Sequence, residues 1–238
     1  MEAENQKYIL HHVRDMPLSE CCKLVKRILR FAPPININFS RDPFEVLVRT
    51  IISQNTTDRT SIPAFKKLKR IVDVTPKGIL EADRRMIEEA LRTSGLQKVK
   101  TERIRRAAEY ILLNIGELRT ILKLPLGEAR RRLLAIPGVG YKTADVILVF
   151  CGGYNVLPVD THIRRVAERI GCVSRKDSYD KCRENLERCI SSSYGEAHLK
   201  LIWFGRNICK AINPKCHECT VSLDCPSSRD MKSFPNTT

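Results

Sequence analysis

The sequence predicts an all-α protein, and two observations carry that expectation. Apolar residues recur at intervals of three and four in most segments, as in FEVLVRTIISQ (44–54) and VKTERIRRAAEYILLNI (99–115), the spacing of one helix face. Alternating apolar and polar runs are scarce, and the better β-like stretches are too short to build a sheet. Helix starts are signalled by Ser40 ahead of the 42–54 run, Thr101 ahead of ERIRRAAEYILL and Asp160 ahead of THIRRVAERI. Each offers a side-chain oxygen to first-turn N–H groups. Breaks fall at FAPPININ (31–38), VDVTPKG (72–78), LPLGE (124–128), IPGVG (136–140), CGGYNVLP (151–158) and INPK (212–215). No segment repeats, and the polar tail 226–238 is expected to be loose.

A chain of 238 residues can bury one sizeable core or two modest ones. With 29% charged and 42% hydrophobic residues the composition is globular rather than disordered. No apolar run approaches the ~20 residues that span a bilayer. The N-terminal stretch MEAENQKYILHHVRDM lacks a signal-peptide core, so no membrane partner and an intracellular, cytoplasmic location are expected. The net charge of +15 suits a polyanionic partner, with nucleic acid the first candidate. Aromatics at 6% give poor support to a stacking platform for single strands.

Six of the ten cysteines, Cys21, Cys22, Cys151, Cys172, Cys182 and Cys189, show no ligand spacing and are expected to pack as small apolar residues. The other four, Cys209, Cys216, Cys219 and Cys225, crowd together as C-x6-C-x2-C-x5-C. That distribution argues for a local soft-metal centre rather than a disulfide framework. Four thiolates suit either structural zinc or an iron–sulfur cluster, and the chemistry alone leaves both open. His217 inside the loop is expected to be a bystander.

AIPGVGYKTADVIL (135–148) raises a second possibility. Gly138 and Gly140 bracket one apolar residue, which lets the backbone turn sharply and expose successive N–H groups at a helix start. Such donors make a phosphate site. Taken alone, the stretch suits a self-stabilising helix–turn–helix corner equally well.

The cysteine spacing resembles the [4Fe–4S] loop of the endonuclease III group of DNA glycosylases. The resemblance covers about residues 36–225. LLAIPGVGYKTADVIL is similar to that group's helix–hairpin–helix, and PVDTH, with Asp160 eighteen residues beyond Lys142, matches its run and spacing. It implies a two-lobed helix–hairpin–helix DNA glycosylase fold. Residues 36–154 would form a helical barrel domain with the hairpin. Residues 1–35 and 155–225 would form an iron–sulfur cluster domain. The four cysteines would hold one [4Fe–4S] cluster that stiffens a basic loop on the DNA backbone, with Arg206, Lys210 and Lys215 as contacts. The amides of Gly138 and Gly140 would hold a phosphate without reading sequence.

The resemblance also places Lys142 and Asp160 across a pocket as the catalytic pair. A neutral lysine amine can attack the electron-poor C1′ left when a base departs, forming a Schiff base that leads to β-elimination. A carboxylate can stabilise the charged sugar and help move protons. The competing structural readings make Asp160 a helix cap, Lys142 a phosphate contact and His162 a packing residue. TSGLQKVKTERI (93–104) resembles the family's wedge loop, with Leu96 at the inserted position; an ordinary loop-anchoring leucine is the alternative. In IISQNTTDRT (51–60) Asn55 stands where the family commonly has Gln, with Gln54 beside it, so which amide plugs the vacated stack stays open. The segment 116–140 is several residues longer than usual, resembles the archaeal branch and is expected to change the surface near the hairpin.

The function so implied is base-excision repair. A bifunctional glycosylase/AP lyase would remove damaged, oxidised pyrimidines from double-stranded DNA and cleave the abasic site, acting as a monomer (in the nucleus if the source is eukaryotic). A monofunctional mismatch glycosylase and a non-catalytic DNA-binding module are the alternatives. Thr50, where adenine-mismatch enzymes carry a catalytic Glu, and Lys142, absent from both mismatch groups, favour the bifunctional reading.

Overall fold

A computed structural model describes residues 16–35, 40–191 and 193–228. Among the described residues there are α-helices and short 3-10 turns but no strand. No helix there is long and apolar enough to cross a membrane. The chain divides into two compact units, Asn38–Tyr154 and a discontinuous unit made of Met1–Ile37 and Asn155–Thr238.

The Asn38–Tyr154 unit contains α2 (Pro43–Ser53), α3 (Asp58–Ile71), α4 (Pro76–Glu81), α5 (Arg84–Leu91), α6 (Gln97–Asn114), α7 (Leu118–Ile121), α8 (Leu126–Leu134) and α9 (Tyr141–Gly152). Its core is aliphatic: Leu47, Ile51, Leu68, Ile79, Ile87, Leu91, Ile104, Ile111 and Ile147 are fully enclosed. Each such side chain is worth about 1.5–3 kcal/mol over an exposed one. The cap of α2 is Asp42, whose carboxylate accepts from Phe44 and Glu45 N–H at 2.9 Å; Ser40 instead accepts from Asp42 N–H. Pro43 at the first helical position explains the shift, because it needs no N–H partner there. Thr101 does not start a helix either. It is buried inside α6, which begins four residues earlier from Leu96, a residue with no capping side-chain bond.

The long segment 116–140 does more than alter a surface. Leu118, Ile121, Ala129 and Leu133 are buried, and Tyr154 Oη lies 2.6 Å from Leu124 O and 2.9 Å from Leu122 O. Arg130 on α8 reaches the fully buried Asp145 on α9, Nε to Oδ1 at 2.8 Å. A buried carboxylate needs such a charged donor.

The discontinuous unit contains α1 (Leu18–Phe31), α10 (Thr161–Arg169), α11 (Tyr179–Glu187) and α12 (Tyr194–Asn207). The inner face of α1 (Cys21, Leu24, Val25, Ile28) packs into one apolar cluster with Ile163, Val166, Leu186, Leu201 and Phe204. Helices α10 and α12 approach so closely that a Cβ on Gly205 would lie 3.0 Å from His162 Cβ. Four cysteines expected to be simple packing residues are cross-linked instead, Cys21 to Cys172 and Cys22 to Cys189. Cys151 and Cys182 stay free, and burial pushes their thiols up to about 12 and about 11. Of the tail expected to be loose, 229–238 lies outside the described residues. Its first part is packed, with Ser227 and Ser228 buried and Ser227 Oγ donating to Arg169 O at 2.8 Å.

Candidate active site and cluster loop

The hairpin is a helix–turn–helix corner built around one β-turn. Pro137 and Gly138 occupy its centre, and Val139 N–H donates to Ile136 O at 3.0 Å. Gly138 has φ +83°, which only glycine adopts without strain, in the Pro-Gly order of a type II turn. Gly140 differs. Its φ of −98° is ordinary for any residue, it caps α9, and nothing lies within 4 Å of where its Cβ would be. The turn therefore requires Gly138, while Gly140 leaves open space at the start of α9, where first-turn N–H groups point away from the helix. Lys142, half-buried, is the second residue of α9, immediately after this corner.

Two further loops of the same unit carry the expected wedge and plug. Leu96 has a left-handed backbone (φ +51°) and leaves 56% of its surface exposed, an unusual combination for a leucine. Asn55 is also left-handed (φ +54°) and exposed at the end of α2. Gln54 is fastened, because Arg103 of α6 donates to its Oε1 at 2.7 Å. The same arginine runs beneath the hairpin, its Cβ and Cγ 3.9 Å from the Cβ position of Gly138. Arg103 thus links α6, the plug loop and the hairpin, although nothing in its sequence context marks it.

In the discontinuous unit Asp160 caps α10, Oδ1 accepting from Ile163 N–H at 2.8 Å. The extended segment leading to it is held by side chains. Glu187 accepts from Leu157 N–H at 2.9 Å, Tyr179 Oη accepts from Val159 N–H at 3.1 Å, and buried His198 Nδ1 lies 2.8 Å from Pro158 O. The cap uses one carboxylate oxygen, so capping and chemistry can be divided between Oδ1 and Oδ2.

Helix α10 also holds the cysteine loop. Arg165 donates to Gly205 O (2.6 Å) and Cys209 O (3.1 Å), and Arg169 donates to Lys210 O (2.6 Å) and Ala211 O (2.9 Å). His162 Nδ1 lies 3.2 Å from Arg165 Nη2, so the histidine supports this brace. The signal for these residues was the i, i+4 pair of arginines following the Asp160 cap.

Cys209, Cys216, Cys219 and Cys225 line one cavity of about 250 Å³, together with Ile208, Pro214 and Val221. Cys219 is half-buried and Cys225 buried, so both sulfurs face the cavity rather than open solvent. A tetrahedral zinc at about 2.3 Å from each sulfur would draw four thiols together. Four thiols lining one cavity are a soft donor set, which suits zinc and an iron–sulfur cluster alike. His217 points away, its side chain 78% exposed beside Glu218. Arg206 and Lys210 are exposed, whereas Lys215 is paired with Glu218 at 2.9 Å.

The model of the HhH-GPD superfamily of base excision DNA repair proteins matches residues 48–192. Endonuclease III of Sulfolobus acidocaldarius is 36% identical over 188 residues, covering 78% of this chain and 82% of that protein. Endonuclease III of Escherichia coli strain K12 is 32% identical, covering 81% and 87%. A solved structure of a trapped endonuclease III–DNA covalent intermediate, an estranged-adenine complex, superposes with a TM-score of 0.78 at 26% identity, covering 91% of this chain and 99% of that one. With the fold, the hairpin corner and these matches together, the chain belongs to the endonuclease III family of the HhH-GPD superfamily.

Proposed function

We propose that this chain excises damaged, oxidised pyrimidines from duplex DNA and cleaves the resulting abasic strand, with Lys142 as nucleophile and Asp160 as the assisting carboxylate. Glycosylase and abasic-site lyase chemistry is that of the family. The observation that carries the assignment is the position of Lys142 in the first turn of α9, directly after a corner suited to a phosphate. A phosphate bound there would bring the adjoining deoxyribose within reach of the amine.

In the reaction Nζ of Lys142 forms a bond to C1′ while the bond from C1′ to the base breaks, its electron pair leaving with the base, which then takes up a proton. Ring opening gives an imine. The imine acidifies C2′–H, and loss of that proton expels the 3′ phosphate oxygen. The free Oδ2 of Asp160 stabilises the positive charge that develops on the sugar, a contribution made in the transition state rather than in bound DNA. Leu96 fills the place of the extruded base and exposed Asn55 meets its former partner, with Gln54 kept back by Arg103.

Cys209, Cys216, Cys219 and Cys225 would hold a [4Fe–4S] cluster, which would stiffen the loop carrying Lys210, just beyond Arg206 at the end of α12. The all-thiol donor set lining one cavity and the endonuclease III relatives support that assignment. The protein would act as a monomer, inside the cell, on DNA. The test is a panel of single-lesion duplexes with borohydride present. Excision of oxidised pyrimidines with a trapped adduct is expected. Excision of mismatched bases with no adduct would establish the monofunctional alternative, and binding without excision the non-catalytic one.

A further inference from the structure

Among the described residues Lys100 is one of the largest side chains to be almost wholly enclosed, with 1% of its surface accessible. It occupies the stripe of α6 otherwise made of Thr101, Ile104, Ala107, Ala108 and Ile111, where a helix of this kind carries an apolar residue. Its ammonium donates to one carbonyl, Ser94 O, at 2.7 Å. Among the described residues no carboxylate pairs with it, and the charge acting on it is the like charge of Arg103. It also sits in the first turns of α6, the positive end of the helix dipole, where a cation is disfavoured. A leucine or methionine would satisfy the packing without these costs, so the charge is kept for what it holds.

What it holds is the turn that displays Leu96. Ser94 is buried, its Oγ donating to Leu91 O at 2.7 Å, and the next two residues, Gly95 and Leu96, both have left-handed backbones at φ +67° and +51°. For leucine that conformation is unfavourable and persists only where surrounding contacts enforce it. The ammonium–carbonyl bond immediately before these residues is such a contact. It acts through the backbone, so the side chain of Leu96 remains free and exposed.

We propose that Lys100 is a positioning residue for base extrusion, locking the 94–96 turn so that Leu96 stands ready to enter the DNA stack. This rests on the reading of Leu96 as the wedge. The test is a double-variant cycle with Lys100→Met, which keeps the bulk and removes the charge, and Leu96→Ala, with melting temperature and helicity recorded for each. On damaged duplex Lys100→Met should lower kcat/KM roughly tenfold. The double variant should be no slower than Leu96→Ala alone, because the lysine acts only through the leucine. On single-stranded abasic DNA, which has no stack to fill, Lys100→Met should keep the wild-type lyase rate. Lys100→Gln, which can still donate to Ser94 O, should recover part of the duplex activity and serves if the Met variant fails to fold. Additive losses in the cycle, or an equal loss on single-stranded abasic DNA, would overturn the proposal and make Lys100 a structural residue only. A wild-type protein that forms no adduct with abasic DNA would instead remove the function on which the proposal rests.

Discussion

The two units of this protein hold one proposed catalytic side chain each, and they do so by different means. The Asn38–Tyr154 unit is a continuous stretch of chain with an aliphatic core, and Lys142 stands on its hairpin. The other unit is assembled from two ends of the chain, separated in sequence by the whole of the first. It is fastened by two disulfides, a four-thiol cavity and arginines bound to carbonyls, and Asp160 caps its α10. A continuous unit forms its contacts between near neighbours in sequence. A discontinuous one must first close a very long loop, and that closure entropy is what covalent and charged fasteners offset.

The largest effect should come from reducing the disulfides, which close separations of 151 and 167 residues. Loop-entropy arguments give about 5 kcal/mol for a first cross-link of that length and less for a second. Reduction by a dithiol should lower the unfolding temperature and expose α1 to protease before the Asn38–Tyr154 unit is cut. Simultaneous cleavage of both units would erase the contrast.

In the continuous unit the corresponding fastener is the Arg130–Asp145 pair. Asp145→Ala leaves a buried guanidinium without its carboxylate and should cost about 3–5 kcal/mol by denaturant unfolding. A loss near that of a surface pair would show that α8 and α9 hold together without it.

The hairpin glycines should separate two effects that the sequence presents as one. Gly138→Ala forces alanine into a left-handed backbone and should cost roughly 1–2 kcal/mol of stability. Gly140→Ala should leave stability nearly unchanged but weaken binding to abasic duplex, since the added methyl intrudes only on a bound phosphate. Equal stability losses at both positions would refute this division. A smaller effect belongs to Glu45. Burial alone would raise its carboxyl, but hydrogen bonds from Lys69 and Ser40 and the Lys69 charge outweigh it and hold the pKa below the ordinary 4.5. The native carboxylate binds fewer protons than the unfolded one, so its contribution is complete above that value and lost as pH falls through the depressed one. Lys69 is half exposed, so Glu45→Gln should remove no more than about 1 kcal/mol at neutral pH and flatten the acid limb accordingly.

What could be read from sequence follows from the range of each interaction. Helical periodicity is local, so the all-helical class was legible, and so were the turn at Pro137–Gly138 and the crowding of four cysteines. Caps were read less well where a backbone rather than a side chain decides. Proline displaced the α2 start from Ser40 to Asp42, and α6 begins from left-handed Leu96 with no polar signal at all. The disulfides were not legible, because Cys21 and Cys22 find partners across an entire unit and no spacing encodes that. Lys100 left a trace in its place on an apolar helical stripe, but only the buried Ser94 carbonyl shows why a charge is tolerated there.

Lys142 as the nucleophile is tested by locating the covalent bond it forms to DNA. Borohydride reduction on an abasic duplex, followed by proteolysis and mass spectrometry, should place the sugar remnant on the peptide containing Lys142. Lys142→Gln should bind the duplex as tightly as wild type and give no adduct. An adduct mapped to another lysine, or undiminished trapping by Lys142→Gln, would place the nucleophile elsewhere.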